Sequence, residues 1–148
     1  MSLQEWQLNG WLVPHKTSAR EINDLLALAD RDLKDCQSAG LSVDWRLNIA
    51  YNSALQSATA ALAAAGYRAA RDSHHFRIIQ SLSITIGASF STITQFDHFR
   101  KKRNIGGYER AGAVSDQEAY EMHNFAKQLR QDIEDWLRKY YPHLFVIS

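Results

Sequence analysis

The stretch from Ser115 to Tyr140 leaves this chain little freedom. Ser115-Asp116-Gln117-Glu118 is a capping box, a hydroxyl and a carboxylate spaced to satisfy each other's backbone N–H groups at a helix start. Ala119, Met122, Ala126, Leu129, Ile133, Trp136, Leu137 and Tyr140 then recur at helical spacing and make one apolar stripe. A stripe of that length needs other helices to lie against, because its apolar area is unfavourable in water. Pro142, just past Tyr140, cannot continue the helix.

The rest of the chain supplies those partners. Ile22, Leu25, Leu26, Ala29, Leu33 and Cys36 mark a helix from Ser18 to Ala39, with Thr17 or Ser18 as cap and Gly40 as stop. A second helix runs from Asp44 to Ala65, capped by Ser42 or Asp44 and stopped by Gly66. Its stripe, Ile49, Ala50, Ala54, Ala58, Ala61, Leu62 and Ala65, is built mainly of small residues that let another helix approach closely. A third helix opens near Asp72 and carries Phe76, Ile79 and Leu82.

Ser83 to Phe90 reads SITIGASF, which alternates like a strand around a Gly turn. No other segment offers a sheet partner, so the reading is helix, a break near Gly87, then helix. The fourth helix runs from Ser91 to Asn104 and ends at Gly106 and Gly107. The expected fold is all-α, an up-and-down bundle of about five helices in one domain over 1–148. Residues 1–14 form an arm whose Trp6 and Trp11 either pack on the body or cover a partner. Residues 141–148 form a short tail, and Tyr140, Tyr141 and Phe145 offer a second set of aromatics.

The formal net charge is +1, so any contact with nucleic acid depends on a local patch rather than a global field. The N-terminus has neither a basic start nor a long apolar core and does not read as a signal peptide. No segment is apolar enough to span a membrane, and a single cysteine, Cys36, suits a reducing compartment. The expected setting is the cytoplasm. His, Cys and carboxylates show no metal-ligand spacing, and neither a P-loop nor a dinucleotide fingerprint is present, so no metal and no cofactor are expected.

The segment that carries chemistry is FRKKRNIGGYE, Phe99 to Glu109. Arg100, Lys101, Lys102 and Arg103 end a helix, and Asn104, two glycines and Tyr108 follow. Arg grips a phosphate with two parallel hydrogen bonds, Gly lets the backbone pass close to a ligand, and Tyr stacks on a base or donates to a phosphate oxygen. The same pattern also ends ordinary helices, since cations there complement the helix dipole.

Three segments in order, NIAYNSALQSATAALAAAGYRAA (Asn48–Ala70), HHFRIIQSL (His74–Leu82) and FRKKRNIGGYE with the capped helix Val114–Leu137, resemble the HEPN superfamily, in particular its small prokaryotic stand-alone members. The resemblance implies a helical bundle that pairs as a homodimer. In catalytic members an Arg and a following His meet their copies across that dimer and cleave RNA without metal. Here Tyr108 stands where the His would be, and no histidine lies between His98 and His123. A tyrosine with its ordinary pKa of about 10 is ionised in about one molecule in a thousand at neutral pH, a poor general base.

The resemblance therefore implies first a homodimeric module that binds RNA or nucleotides through Arg100, Lys101, Lys102, Arg103, Asn104 and Tyr108. One form of this is the HEPN half of a toxin–antitoxin pair, with a nucleotidyltransferase as partner. The alternatives are a metal-independent toxin endoribonuclease using Arg103 and Tyr108, and a purely structural, oligomerising bundle. Arg68 and His74 mimic the catalytic Arg–His spacing but fall between the second and third helices, outside that pattern. His75 leads the third helix and reads first as a helix-start or packing histidine, with the lining of a site near Arg103 as the alternative. Asp97 reads as an ion-pair partner for Arg100 or Lys101, with His98 beside it, and His123 as a structural residue of the last helix.

Overall fold

A computed structural model describes residues 2–105 and 114–145, with backbone alone at 104 and 105. The described residues form α1 (Leu3–Leu8), β1 (Leu12–Pro14), α2 (Ala19–Asp35), α3 (Val43–Ala64), β2 (Tyr67–Ala69), α4 (His74–Thr85), α5 (Phe90–Ile105) and α6 (Asp116–Tyr140). The fold is an all-α bundle, and among the described residues no helix is long and apolar enough to cross a membrane.

The caps that the sequence offers are made. Ser18, Ser42 and Ser115 each accept a hydrogen bond from the backbone N–H three residues on, and Glu118 closes the capping box on Ser115. These contacts satisfy N–H groups that have no partner inside the helix. α6 buries Ala119, Met122, Ala126, Leu129, Ile133 and Leu137. Trp136 is only partly covered, packing on Tyr141, and Tyr140 stays exposed.

α3 is the central post and packs against α2, α4, α5, α6 and β2. It is buried on most of its circumference, and its Ser53 hydroxyl donates across to the Ala29 carbonyl of α2 at 2.7 Å. Ala50, Ala54, Ala58 and Ala61 are fully buried. Their small side chains allow the neighbouring helices to close in on the post.

The region from Ser83 to Phe90 resolves as helix, break and helix. α4 ends at Thr85, Gly87 takes a left-handed φ of 70°, and α5 starts at Phe90.

The N-terminal arm differs from a simple packed arm. Its α1 buries Trp6, and its β1 pairs antiparallel with β2, Leu12 opposite Ala69 and Pro14 opposite Tyr67. Pro14 has no N–H to give, so it suits the end of such a short strand. The sequence suggested no strand here, because three residues are too few to show an alternating pattern. Trp11 lies under the Arg77 guanidinium, 3.6 Å from the ring centroid. Both tryptophans of the arm are thus used within the fold.

Candidate functional site

The site begins with the register of α5. Ile93, Phe96 and Phe99 are buried, and continuing that stripe by one more turn reaches Arg100 and Arg103. Helical spacing therefore brings two cations to the face that the phenylalanines bury, toward α3. Phe96 packs edge-on against Tyr51 of α3, with centroids 5.8 Å apart, and the Arg103 guanidinium carbon stands 5.3 Å from the same Tyr51 ring.

The same geometry divides the run of four cations. Lys101 is exposed and reaches Asp97 at 3.5 Å, and Arg100 holds the other Asp97 oxygen at 2.7 Å. Lys102 turns to α6 and pairs with Glu118 at 3.3 Å. Lys102 thus ties α5 to the start of α6, and Arg100 and Arg103 remain on the α3–α4 side. Asp97 pairs with both predicted cations, Arg100 and Lys101, and is itself only 16% exposed.

α4 brings the third component. Its first residues, His74 and His75, follow Ser73, which has a left-handed φ of 54° and makes no side-chain cap. A serine in that conformation is uncommon, and it leaves the α4 amides without the cap that the other long helices have. His75 Nδ1 and the Tyr51 hydroxyl are hydrogen-bonded at 3.1 Å. An open groove of about 510 Å³ lies here, lined by Ser73, His74, His75, Phe76 and Arg100.

Electrostatics of this corner are one-sided. Burial pushes the Tyr51 phenol up to about 12, against the opposing pull of Arg103 and Arg100, so Tyr51 stays protonated. Burial lowers the His75 pKa, and the charges of Arg103, His74 and Arg100 lower it further. His75 is therefore neutral at pH 7. Arg103 Nε is buried with no hydrogen-bond partner among the described residues, an arrangement that costs about 1–3 kcal/mol or more for a charged group. Two guanidiniums and two imidazoles share one corner, where Asp97 pairs with Arg100. That is the environment an anion would relieve.

The sequence-predicted residues fare differently. Arg100 and Arg103 both stand near Tyr51 and His75, although Arg100 also makes the shortest ion pair of the run, to Asp97; Lys101 shares that carboxylate and Lys102 pairs with Glu118. The side chain of Asn104, the glycines 106 and 107, and Tyr108 lie outside the described residues. His75 joins the site. His74 sits next to it, with ring centroids 6.0 Å apart, and Arg68 is an exposed residue of β2. His98 is exposed on α5 and His123 half-buried on α6, where it flanks a surface hollow with Cys36 and Arg46. Tyr51 is the site residue that the sequence reading passes over. Its signal was a second stripe on α3, Leu47, Tyr51, Ala54 and Ala58, at the spacing of a buried helix face.

Compared with family models, curated proteins and solved structures, the chain matches none of them.

Proposed function

We propose that this chain is a HEPN-type module that binds the phosphates of RNA or of a nucleotide at Arg100, Arg103 and His75, and that it works as a homodimer in the cytoplasm. One observation carries the reading: Arg103 is held against Tyr51 with a buried Nε that has no partner among the described residues, beside a second Arg and a neutral His. Two guanidiniums give a two-pronged grip on phosphate oxygens. With Tyr51 donating to Nδ1, His75 carries its proton on Nε2 and adds a neutral donor. Phe76 lines the same groove and offers a ring on which a base can stack. The order of sequence segments described above supports the HEPN assignment, and with it a nucleotidyltransferase as a further candidate partner.

The test is binding of single-stranded RNA and of nucleotides by wild type and by Arg103→Ala combined with Tyr108→Phe. The reading expects a loss of affinity of about tenfold or more, since a charged hydrogen bond is worth about 1.5–3 kcal/mol. Intact binding in that variant would sink it.

A second reading, metal-independent RNA cleavage, is favoured by the position of His75. It puts an imidazole beside Arg103, which the position of Tyr108 in the sequence does not. In that reading Nδ1–H donates to the Tyr51 oxygen and Nε2 takes the proton of a ribose 2′-OH. The 2′-oxygen then bonds to phosphorus and the P–O5′ bond breaks. The departing 5′-oxygen takes a proton from water, and Arg103 offsets the charge on the phosphate. This reading expects cleavage in EDTA that is lost in His75→Ala and Arg103→Ala and kept in Tyr108→Phe. RNA left uncut by wild type removes it and leaves the binding module.

A further inference from the structure

Beside the phosphate groove lies a second, more enclosed cleft of about 210 Å³, and the two share His74. Its walls are mainly apolar, with Leu25 of α2, Leu62 and Ala63 of α3, Ala69 of β2 and Ile78 of α4, and Thr59, Tyr67 and Arg68 beside them. Drug-sized ligands occupy sites of about 300–1,000 Å³, so this cleft suits a single small ring. At its rim His15 and Glu21 form a built polar pair. His15 Nε2 meets Glu21 Oε1 at 2.7 Å, and the Thr17 hydroxyl donates to the same oxygen at 2.6 Å. The His15 amide donates to the Gly66 carbonyl, so the clasp of β1 and β2 holds the pair in place. Both side-chain bonds fall on Oε1, and Glu21 Oε2 takes none among the described residues.

We propose that this cleft is a nucleobase pocket: a nucleoside phosphate with its phosphate on Arg100 and His75 passes its base across His74 into the cleft, where Glu21 Oε2 accepts an N–H from the base edge. The inference rests on the phosphate reading and narrows it to ligands that carry a base. An apolar slot with one fixed acceptor at its rim fits a flat heterocycle whose faces are apolar and whose edge is polar. Thr17 and His15 hold Glu21 ionised, lowering its carboxyl below the usual range with Thr17 the larger influence, so it accepts across the physiological range. The source of the nucleoside phosphate is either a free mononucleotide or an unstacked base of single-stranded RNA.

The experiment is a calorimetric titration of the full chain with CMP, UMP, a short single-stranded RNA rich in pyrimidines, and ribose 5-phosphate as the baseless probe. In wild type at least one nucleotide binds about tenfold or more tightly than ribose 5-phosphate, the range that a base's contacts with side chains supply. Leu25→Trp, which fills the cleft, closes that gap and leaves ribose 5-phosphate binding unchanged. Glu21→Gln, which keeps the shape and removes the charge, narrows the gap, so the proposal stays testable if Leu25→Trp does not fold.

Equal affinity for nucleotide and ribose 5-phosphate in wild type would overturn the inference, as would a gap that survives both variants. Loss of ribose 5-phosphate binding on Arg100→Ala with Arg103→Ala supports the phosphate reading, and its persistence there counts against that reading separately. Short RNA that weakens with Leu25→Trp by the same factor as the mononucleotide identifies RNA as the source, and a loss confined to the mononucleotide identifies the free form.

Discussion

Replacing Tyr51 by Phe removes one oxygen from the centre of the site and keeps the ring. Tyr51 is fully buried and packs on Phe96, so the apolar contacts of the ring persist in the variant. What disappears is the bond to His75 Nδ1 at 3.1 Å. A net hydrogen bond contributes about 0.5–1.5 kcal/mol, and a donor or acceptor left unpaired costs about 1–3 kcal/mol when dry. His75 is half-buried and water can reach it in the variant, so the low ends apply and the loss is about 1 kcal/mol. Tyr51→Ala removes the ring as well and costs about 3–5 kcal/mol, the range for emptying an aromatic site. Urea unfolding with an unchanged m-value measures both, and thermal melts place the Phe variant roughly 3–5 °C below wild type. If Phe costs as much as Ala, the hydroxyl matters through something other than this one bond. If Phe costs nothing and the His75 ring resonances do not move, the bond is not made in solution.

Other outcomes follow from the same contacts. Burial, and then Arg103, His74 and Arg100, hold His75 below its ordinary pKa, so the folded state takes up this proton less readily than the unfolded chain. That contribution is intact above about pH 6.5 and is lost as pH falls toward the folded value, with a slope of at most about 1.4 kcal/mol per pH unit. In urea melts across this window, His75→Phe flattens that segment of the curve, and an unchanged slope would contradict the account. Cys36 is buried and its thiol is pushed up to about 11, burial first and Asp32 second. Iodoacetamide at pH 8 therefore modifies Cys36 far more slowly in the folded chain than in urea, and equal rates would refute its burial. Ser115→Ala opens the capping box of α6 and lowers stability by about 1 kcal/mol in urea melts, with Ser115→Asp restoring most of it.

Much of the bundle was legible because its signals are local. The caps at Ser18, Ser42 and Ser115 and the one-sided stripes of α2 and α6 depend only on neighbouring residues. α3 was harder to read in detail. A helix buried nearly all round has no single face, and Tyr51 was lost among its alanines and serines. The β1–β2 clasp pairs Leu12 with Ala69, a contact between distant segments that a pattern within one segment cannot show. The cationic run was visible as composition and was not visible as geometry. A spacing of three groups Arg100 with Arg103, while Asp97 sits between Arg100 and Lys101 and holds both, and Lys102 turns to Glu118. His75 reads from the sequence first as a helix-start histidine, and the hydrogen bond that draws it into the site needs Tyr51, a residue the stripe on α3 concealed.

The most direct measurement is the salt dependence of single-stranded RNA affinity for wild type, Arg103→Ala and Arg100→Ala, with Lys101→Ala, an exposed cation that does not line the groove, as the comparison. The account predicts that each Arg variant weakens binding and that the slope of log K against log salt shrinks by about 0.7 for each phosphate contact removed, while Lys101→Ala changes both far less. Arg variants that keep the wild-type affinity and slope, or a Lys101 variant that loses as much as they do, would contradict it.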